Sequence, residues 1–311
     1  MNLRRLIEQY ISFEQSLGSS ATIAPTLRSF SRFRGARASV ASVRVEHVDT
    51  FLGKARPVTR TWFSKLSRLR SFFRYAVSRG YISKAPLPTA MPKHPSAFVP
   101  YIYTREEIRR LLREIESYPR GKSSTLELAT IRTMILTYYG AGLRLREAIK
   151  LTRTDVDLSG SVLTIRNTKF GKTRLVPVGP QLSRALAEYD RTRPRRRPAD
   201  APFFTREGGG PVHPLSLQRY FQLARNRAGI RRTDTSEQPR IHDLRHTFAV
   251  HRLTSWYQQG ADVQRLLHQL SVYLGHTSLR NTQDYLSMTP ELLRQASQRF
   301  ERYAWKEGRH A

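Results

Sequence analysis

The sequence contains no cysteine in 311 residues. That excludes a disulfide framework, a thiolate metal site and a cysteine nucleophile. Long apolar runs are also missing: nothing approaches the ~18 consecutive apolar residues of a bilayer-spanning helix. The opening residues, Met-Asn-Leu-Arg-Arg-Leu-Ile-Glu-Gln-Tyr, lack the apolar core of a signal peptide and have the spacing of an amphipathic helix.

Acid is scarce. Asp plus Glu number 24 against 54 Lys plus Arg, a formal net charge of +30. Lysine is scarce too, since 45 of those 54 bases are Arg and nine are Lys. Such an excess needs an anionic partner or a tolerance of self-repulsion. The planar guanidinium fork matches phosphate oxygens in bidentate geometry, which favours nucleic acid over an acidic membrane. Residues 1–100 carry 17 bases and four acids, while residues 101–311 carry 37 and 20, so the first hundred are nearly acid-free. With 39% hydrophobic residues, the chain can still bury one large core or two ordinary ones.

Pro86, Pro88, Pro92, Pro95 and Pro100 forbid a helix and favour an extended linker. The expected organisation is therefore a helical segment over 1–85, a linker over 86–100 and a larger domain over 101–311. Between Val58 and Arg79, Trp62, Leu66, Leu69, Phe73, Ala76 and Val77 recur at helical spacing, with Gly80 as a stop. The opposite face carries Lys65, Arg68 and Arg74, either as a solvated face or as phosphate contacts; the shortage of acid favours the latter. Beyond the linker, Thr104-Arg-Glu-Glu107 is a capping box that opens a helix. A second helix is expected near 126–139, ending at Gly140-Ala-Gly142. Val162–Ile165 and Arg174–Val178 read as two strands around the turn 169–172. Helices follow near 180–193, 214–228, 241–258, 262–274 and 278–286, and Leu292–Trp305 is a further amphipathic helix. The fold class is mainly α with a small antiparallel β-hairpin sheet.

Ile241-His-Asp-Leu-Arg-His246 is the densest group of chemically capable residues. On a helix, His242 and His246 share a face, as in a zinc hydrolase pair. Asp243 is one methylene shorter than the Glu such a site uses, and no third ligand is marked, so no metal is expected. A phosphate reading fits better, with Arg245 as a fork and His242 as a donor. Arg144, in Gly142-Leu-Arg-Leu-Arg-Glu147, supplies a second guanidinium after a glycine turn. Two fixed arginines on one phosphate can neutralise its oxygens without a metal. Gly275-His-Thr-Ser278 turns into a capped helix that carries Tyr285. A lone Tyr there is ordinarily core or surface. With positive neighbours, a phenol of pKa ~10 can act as a nucleophile.

In order, Gly-Leu-Arg-x-x-Glu, a hairpin Lys, His-x-x-Arg-His, Leu-Gly-His and then Tyr resemble the tyrosine recombinase (phage integrase) family. The motifs cover roughly 101–290. The resemblance implies a two-domain DNA clamp, with 1–85 as a helical core-binding domain and 101–311 as the catalytic domain. It implies that Arg144 and Arg245 bind the scissile phosphate and that His242 and His276 assist proton transfer. Lys169, with Lys172 as rival, would protonate the leaving 5′ oxygen. Tyr285 would form a 3′-phosphotyrosine, with no cofactor and no metal. Lys65, Arg68, Arg74, Lys172 and Arg174 are the expected DNA contacts. The implied partners are double-stranded DNA with specific recombination sites and a homo-tetramer, with the C-terminal helix docked either on a neighbouring copy in exchange or on its own domain. The implied setting is the bacterial cytoplasm, at the nucleoid.

The interval from Arg245 to His276 is longer than usual for the family and reads as a longer helix–turn–helix with no change of chemistry. The style resembles recombinases of transposons and other mobile elements more than a Xer-like dimer resolvase. A non-catalytic DNA-binding accessory protein would explain the charge, though not the ordered motifs. A type IB topoisomerase is a nearby enzymatic variant. The run Arg191–Arg197 is either a solvated loop or a phosphate contact.

Overall fold

The computed structural model describes residues 1–17, 23–53, 59–93, 99–117, 126–166, 172–194, 196–234, 237–276 and 280–287, with Arg294 and Ser297. The chain divides into two compact units, Met1–Phe98 and Val99–Ala311, and the division falls within the proline-rich stretch.

In the first unit, α1 (Leu3–Ser16), α2 (Ala24–Arg34), α3 (Val45–Leu52) and α4 (Arg60–Ser78) surround one apolar core. Thr59 caps α4 by accepting from the Trp62 amide, and Gly80 follows its end with φ +71°. Leu69, Phe72 and Phe73 are completely buried. Each contributes ~1.5–3 kcal/mol relative to exposure. The helices α2 and α3 were not anticipated. Pro25 in the first turn and Gly35 and Gly53 at the ends mark them, but each is only two to three turns long.

The second unit begins with α5 (Arg105–Glu116), opened by the reciprocal Thr104–Glu107 capping box. Then come α6 (Leu128–Ala141), α7 (Leu145–Ile149), the strands β1 (Val156–Asp157), β2 (Val162–Ile165) and β3 (Arg174–Pro177), and α8 (Pro180–Arg191). The remaining helices are α9 (Pro214–Arg227), α10 (Asp243–Gln258), α11 (Val263–Leu274) and α12 (Arg280–Gln283), followed by a 3₁₀ turn over Asp284–Ser287. The three strands form one antiparallel sheet in the order β1-β2-β3, with Leu163 opposite Val176. The chain is thus mainly α with a three-stranded antiparallel sheet, one strand more than the expected hairpin. At two residues, β1 is too short to show a period-two pattern. The tip 167–171, including Lys169, and the expected C-terminal helix 292–305 lie outside the described residues, apart from Ser297 and Arg294.

Helix α6 runs through the centre of this unit. Eight of its residues are buried, including Thr130, Thr133 and Thr137, so no single face is apolar. It packs against α5, α8 and α10. A smaller apolar cluster joins Phe248, Val250, Leu253, Leu267, Leu270 and Leu274 of α10 and α11 to Tyr285. Among the described residues, no helix is long and apolar enough to cross a membrane.

Candidate active site

Two glycines place the site. Helix α6 ends at Gly142, with φ +60°, where a Cβ would lie 2.6 Å from Phe248. Helix α11 ends at Gly275, with φ +66°, where a Cβ would lie 2.9 Å from the Arg174 guanidinium. Both helices must stop in a left-handed conformation, and both stop against a crowded neighbour. Arg144 follows the first glycine as the cap of α7, and His276 follows the second.

Three successive carbonyls at the end of α11 each accept from a different arginine. Tyr273 O takes Arg174 Nε at 2.9 Å, Leu274 O takes Arg245 Nη2 at 2.6 Å, and Gly275 O takes Arg144 Nη2 at 2.7 Å. Arg245 Nη1 also donates to Gly142 O at 2.6 Å, at the end of α6. The negative ends of two helix dipoles thus meet the cations. Glu147, one turn into α7, completes the counter-charge. Its carboxylate accepts from Arg174 Nη1 and Nη2 at 3.0 and 2.8 Å and from Arg144 Nη1 at 2.7 Å, and stands 3.9 Å from Arg245 Nη1. Burial alone would raise the Glu147 pKa; the bonds from Arg174 and from the Arg144 amide overcome it and bring it to about 2.

These contacts correct one expectation. Arg174 was expected to contact DNA, but its side chain is only 11% exposed and uses its Nε, Nη1 and Nη2 on Glu147 and the α11 terminus. Arg144 is the outward-facing member, with its side chain 38% exposed, whereas Arg245 is 3% exposed. Arg245 was read as a neighbour of His242 on the helix surface; it lies instead beneath that surface. Burial, then Arg144, lowers its pKa to about 10, so it stays charged at neutral pH.

The imidazoles line the same place. His242 is the cap residue of α10 and keeps one face open. The His246 ring meets it edge-on, with centroids 5.1 Å apart. His246 Nδ1 is 3.2 Å from the Tyr285 hydroxyl. His276 lies nearly parallel to the Tyr285 ring at 6.0 Å, and its Nδ1 is bonded to the buried Thr282 Oγ1 at 2.7 Å. Tyr285 is itself buried and sits on the 3₁₀ turn rather than two turns into a continuous helix. Burial raises its pKa, and Arg245 and Arg144 pull against that rise. Loss of water on the packed side, followed by the neighbouring arginines, lowers His242 and His276 to about 4. Both imidazoles are therefore neutral at physiological pH.

Arg144, Arg245, His242, His276 and Tyr285 thus converge. Each guanidinium has five donors, and the backbone and carboxylate bonds above use two of each. The others can hold a phosphate beside a phenol oxygen. Lys169 lies outside the described residues, and Lys172 is exposed just before β3. Among the described residues, no cluster of His, Asp and Glu could hold a metal ion. Glu147, His246 and Thr282 were absent from the expected site, and Arg174 was expected only as a DNA contact. Glu147 stood in the quoted glycine-arginine motif, and His246 in the rejected zinc pair.

In the first unit, Lys65 lies 5.3 Å over the Phe51 ring and Arg68 donates to Thr26 at 2.7 Å, while Arg74 is exposed. In the basic run, Arg193 pairs with Glu127, and Arg197 pairs with Asp190 at 2.8 Å. Both are structural ion pairs rather than loose loop charges.

The family model for the phage integrase family matches residues 102–291. The chain belongs to that family. The integrase/recombinase y4rB of Sinorhizobium fredii is 34% identical over 309 residues, covering 96% of this chain and 97% of the relative. Two solved structures share the fold. The integrase of transposon Tn1549, in complex with a circular-intermediate DNA, has a TM-score of 0.68 at 18% identity, covering 96% of this chain and 99% of that one. A lambda integrase tetramer bound to a Holliday junction has a TM-score of 0.64 at 17% identity, covering 89% and 78%. Tyrosine recombinases are DNA-cleaving and rejoining enzymes, and as a member of their family this chain is one.

Proposed function

We propose that the chain cleaves and rejoins duplex DNA at specific recombination sites through Tyr285, in the service of a mobile element. The convergence of Arg144, Arg245, His242 and His276 on Tyr285, from separate segments of one unit, supports this most directly. Arg144 and Arg245 clamp the scissile phosphate and neutralise its oxygens as charge redistributes. Tyr285 attacks phosphorus, forms a 3′-phosphotyrosine and releases a 5′ oxygen, which Lys169 or Lys172 protonates. His242 and His276 donate hydrogen bonds to the phosphate. The covalent bond retains the phosphodiester energy, so rejoining needs neither nucleotide nor metal.

The transposon integrase among the similar structures supports the mobile-element setting. The lambda integrase tetramer bound to a Holliday junction supports assembly of four copies on DNA. The C-terminal helix expected over 292–305 is the element exchanged between copies. Lys65, Arg68, Arg74 and Lys172 act as phosphate contacts, and the nucleoid is the place of action.

The test is covalent capture. A library of nicked duplexes with a randomised central segment is incubated with the full chain and resolved under denaturing conditions. The wild-type protein should retain DNA covalently, in EDTA as well as without it, and the Tyr285→Phe variant should retain none. Equal retention by both would contradict the reading.

A further inference from the structure

His246 is the imidazole that the roles above leave unused, and it is the one that touches the nucleophile. We infer that His246 Nδ1 accepts the Tyr285 hydroxyl proton as Oη attacks phosphorus. The inference rests on the reading of Tyr285 as nucleophile.

The geometry separates His246 from its neighbours. Its Nδ1 is 3.2 Å from Tyr285 Oη, within reach of a general base and of a length that tightens when substrate binds. The ring of His276 is nearer to parallel with the phenol than to end-on, and its Nδ1 is committed to Thr282 at 2.7 Å. Thr282 is completely buried, so that bond holds His276 in place. His242 packs perpendicular to the His246 ring, at 5.1 Å between centroids, whereas His246 is the ring bonded to the phenol. His246 also follows Arg245 directly on α10, so one rigid turn carries both the proton acceptor and a phosphate donor.

The surroundings set when the acceptor works. Burial, then His242, Arg245, Arg240 and His276, pushes the His246 pKa down to about 3, so the ring is neutral in the free protein. In the tautomer with its proton on Nε2, the Nδ1 lone pair faces the phenol. Taking up a second proton beside the arginines is unfavourable until a phosphodiester brings negative charge between Arg144 and Arg245. Bound DNA thus makes His246 basic, and the free protein keeps Tyr285 protonated. In the cleavage step the Tyr285 O–H bond breaks and its proton passes to Nδ1, giving an imidazolium. The Oη–P bond forms and the P–O5′ bond breaks. The 5′ oxygen takes a proton from the separate lysine. In rejoining, the lysine takes back the 5′-hydroxyl proton as the P–O5′ bond re-forms, the Oη–P bond breaks, and the imidazolium returns its proton to Tyr285.

The experiment uses the duplex that wild-type protein captures from the randomised library, and a second version with sulfur at the bridging 5′ position. A thiolate leaves without protonation, so it relieves a defect in the general acid but not in the base. His246→Asn can hold the Tyr285 hydroxyl through its side-chain oxygen but cannot take its proton at neutral pH. It should bind the duplex normally and attach about 10²–10⁴-fold more slowly to both versions, whereas a lysine variant should recover on sulfur. Wild-type rates for His246→Asn on the oxygen duplex, or recovery on the sulfur duplex, would overturn the assignment. NMR of nitrogen-labelled imidazoles in the wild-type chain gives a reading that does not depend on a variant at His246. Nδ1 should be unprotonated and shift in Tyr285→Phe, and a protonated Nδ1 would overturn the assignment. Covalent attachment surviving in Tyr285→Phe would overturn the nucleophile itself, and that result is separate from any His246 outcome.

Discussion

Arg174 grips both oxygens of Glu147, at 3.0 and 2.8 Å, and so ties strand β3 to the first turn of α7. The same guanidinium reaches the Tyr273 carbonyl at the end of α11. One side chain therefore joins the sheet, the Arg144 segment and the His276 segment. It also supplies part of the field in which Glu147 stays ionised.

Salt dependence distinguishes this bracing role from DNA contact. Each phosphate contact adds roughly one to the magnitude of the slope of log affinity against log salt. The structure predicts that Arg174→Ala leaves the slope unchanged while lowering thermal stability and cleavage. Arg74→Ala, at an exposed position, should reduce the slope by about one without altering stability. The two slopes, measured by titration over a range of salt, check both expectations.

Glu147 makes stability depend on pH at the acid end. Its folded pKa of about 2 lies below the ordinary 4.5, so its contribution is present above the unfolded value and disappears as pH falls through the folded one. The contribution at neutral pH is on the order of 3 kcal/mol. Wild-type protein should therefore melt well above Glu147→Gln at pH 7, and the two should converge as pH falls from about 4.5 to about 2. Scanning calorimetry at stepped pH reads this gap.

Much of this was legible in the sequence where a local rule acts alone. Thr104-Arg-Glu-Glu107 announces a capping box, and the box is present. The order of Arg144, Arg245, His276 and Tyr285 carries the family resemblance, and the chain belongs to that family. The strand β1 was not legible, because two residues have no period. The burial of Arg174 was not legible either. Strand alternation tells which face a residue takes, not that an acid 27 positions upstream waits there. The partner of Tyr285 was hidden for the same reason, because His246 is 39 positions away and only the packing of α10 against the 3₁₀ turn brings them together.

The helix-ending glycines should differ in their tolerance of a methyl group. Gly142→Ala would combine ~1–2 kcal/mol of left-handed strain with ~1–3 kcal/mol of overpacking against Phe248 and Leu274. Gly260, with φ +71° and nothing within 4 Å of a Cβ, would incur only the first cost on substitution by Ala. Denaturant unfolding should rank Gly142→Ala as the more damaging change.

The bond between Tyr285 and phosphorus decides the chemistry. Protein captured on a nicked duplex can be digested with trypsin and nuclease, and the modified peptide sequenced by mass spectrometry. The expected product is a nucleotide joined through its 3′ phosphate to Tyr285, with a free 5′-hydroxyl on the other DNA product. A nucleotide on any other residue, or one joined through its 5′ phosphate, would contradict it.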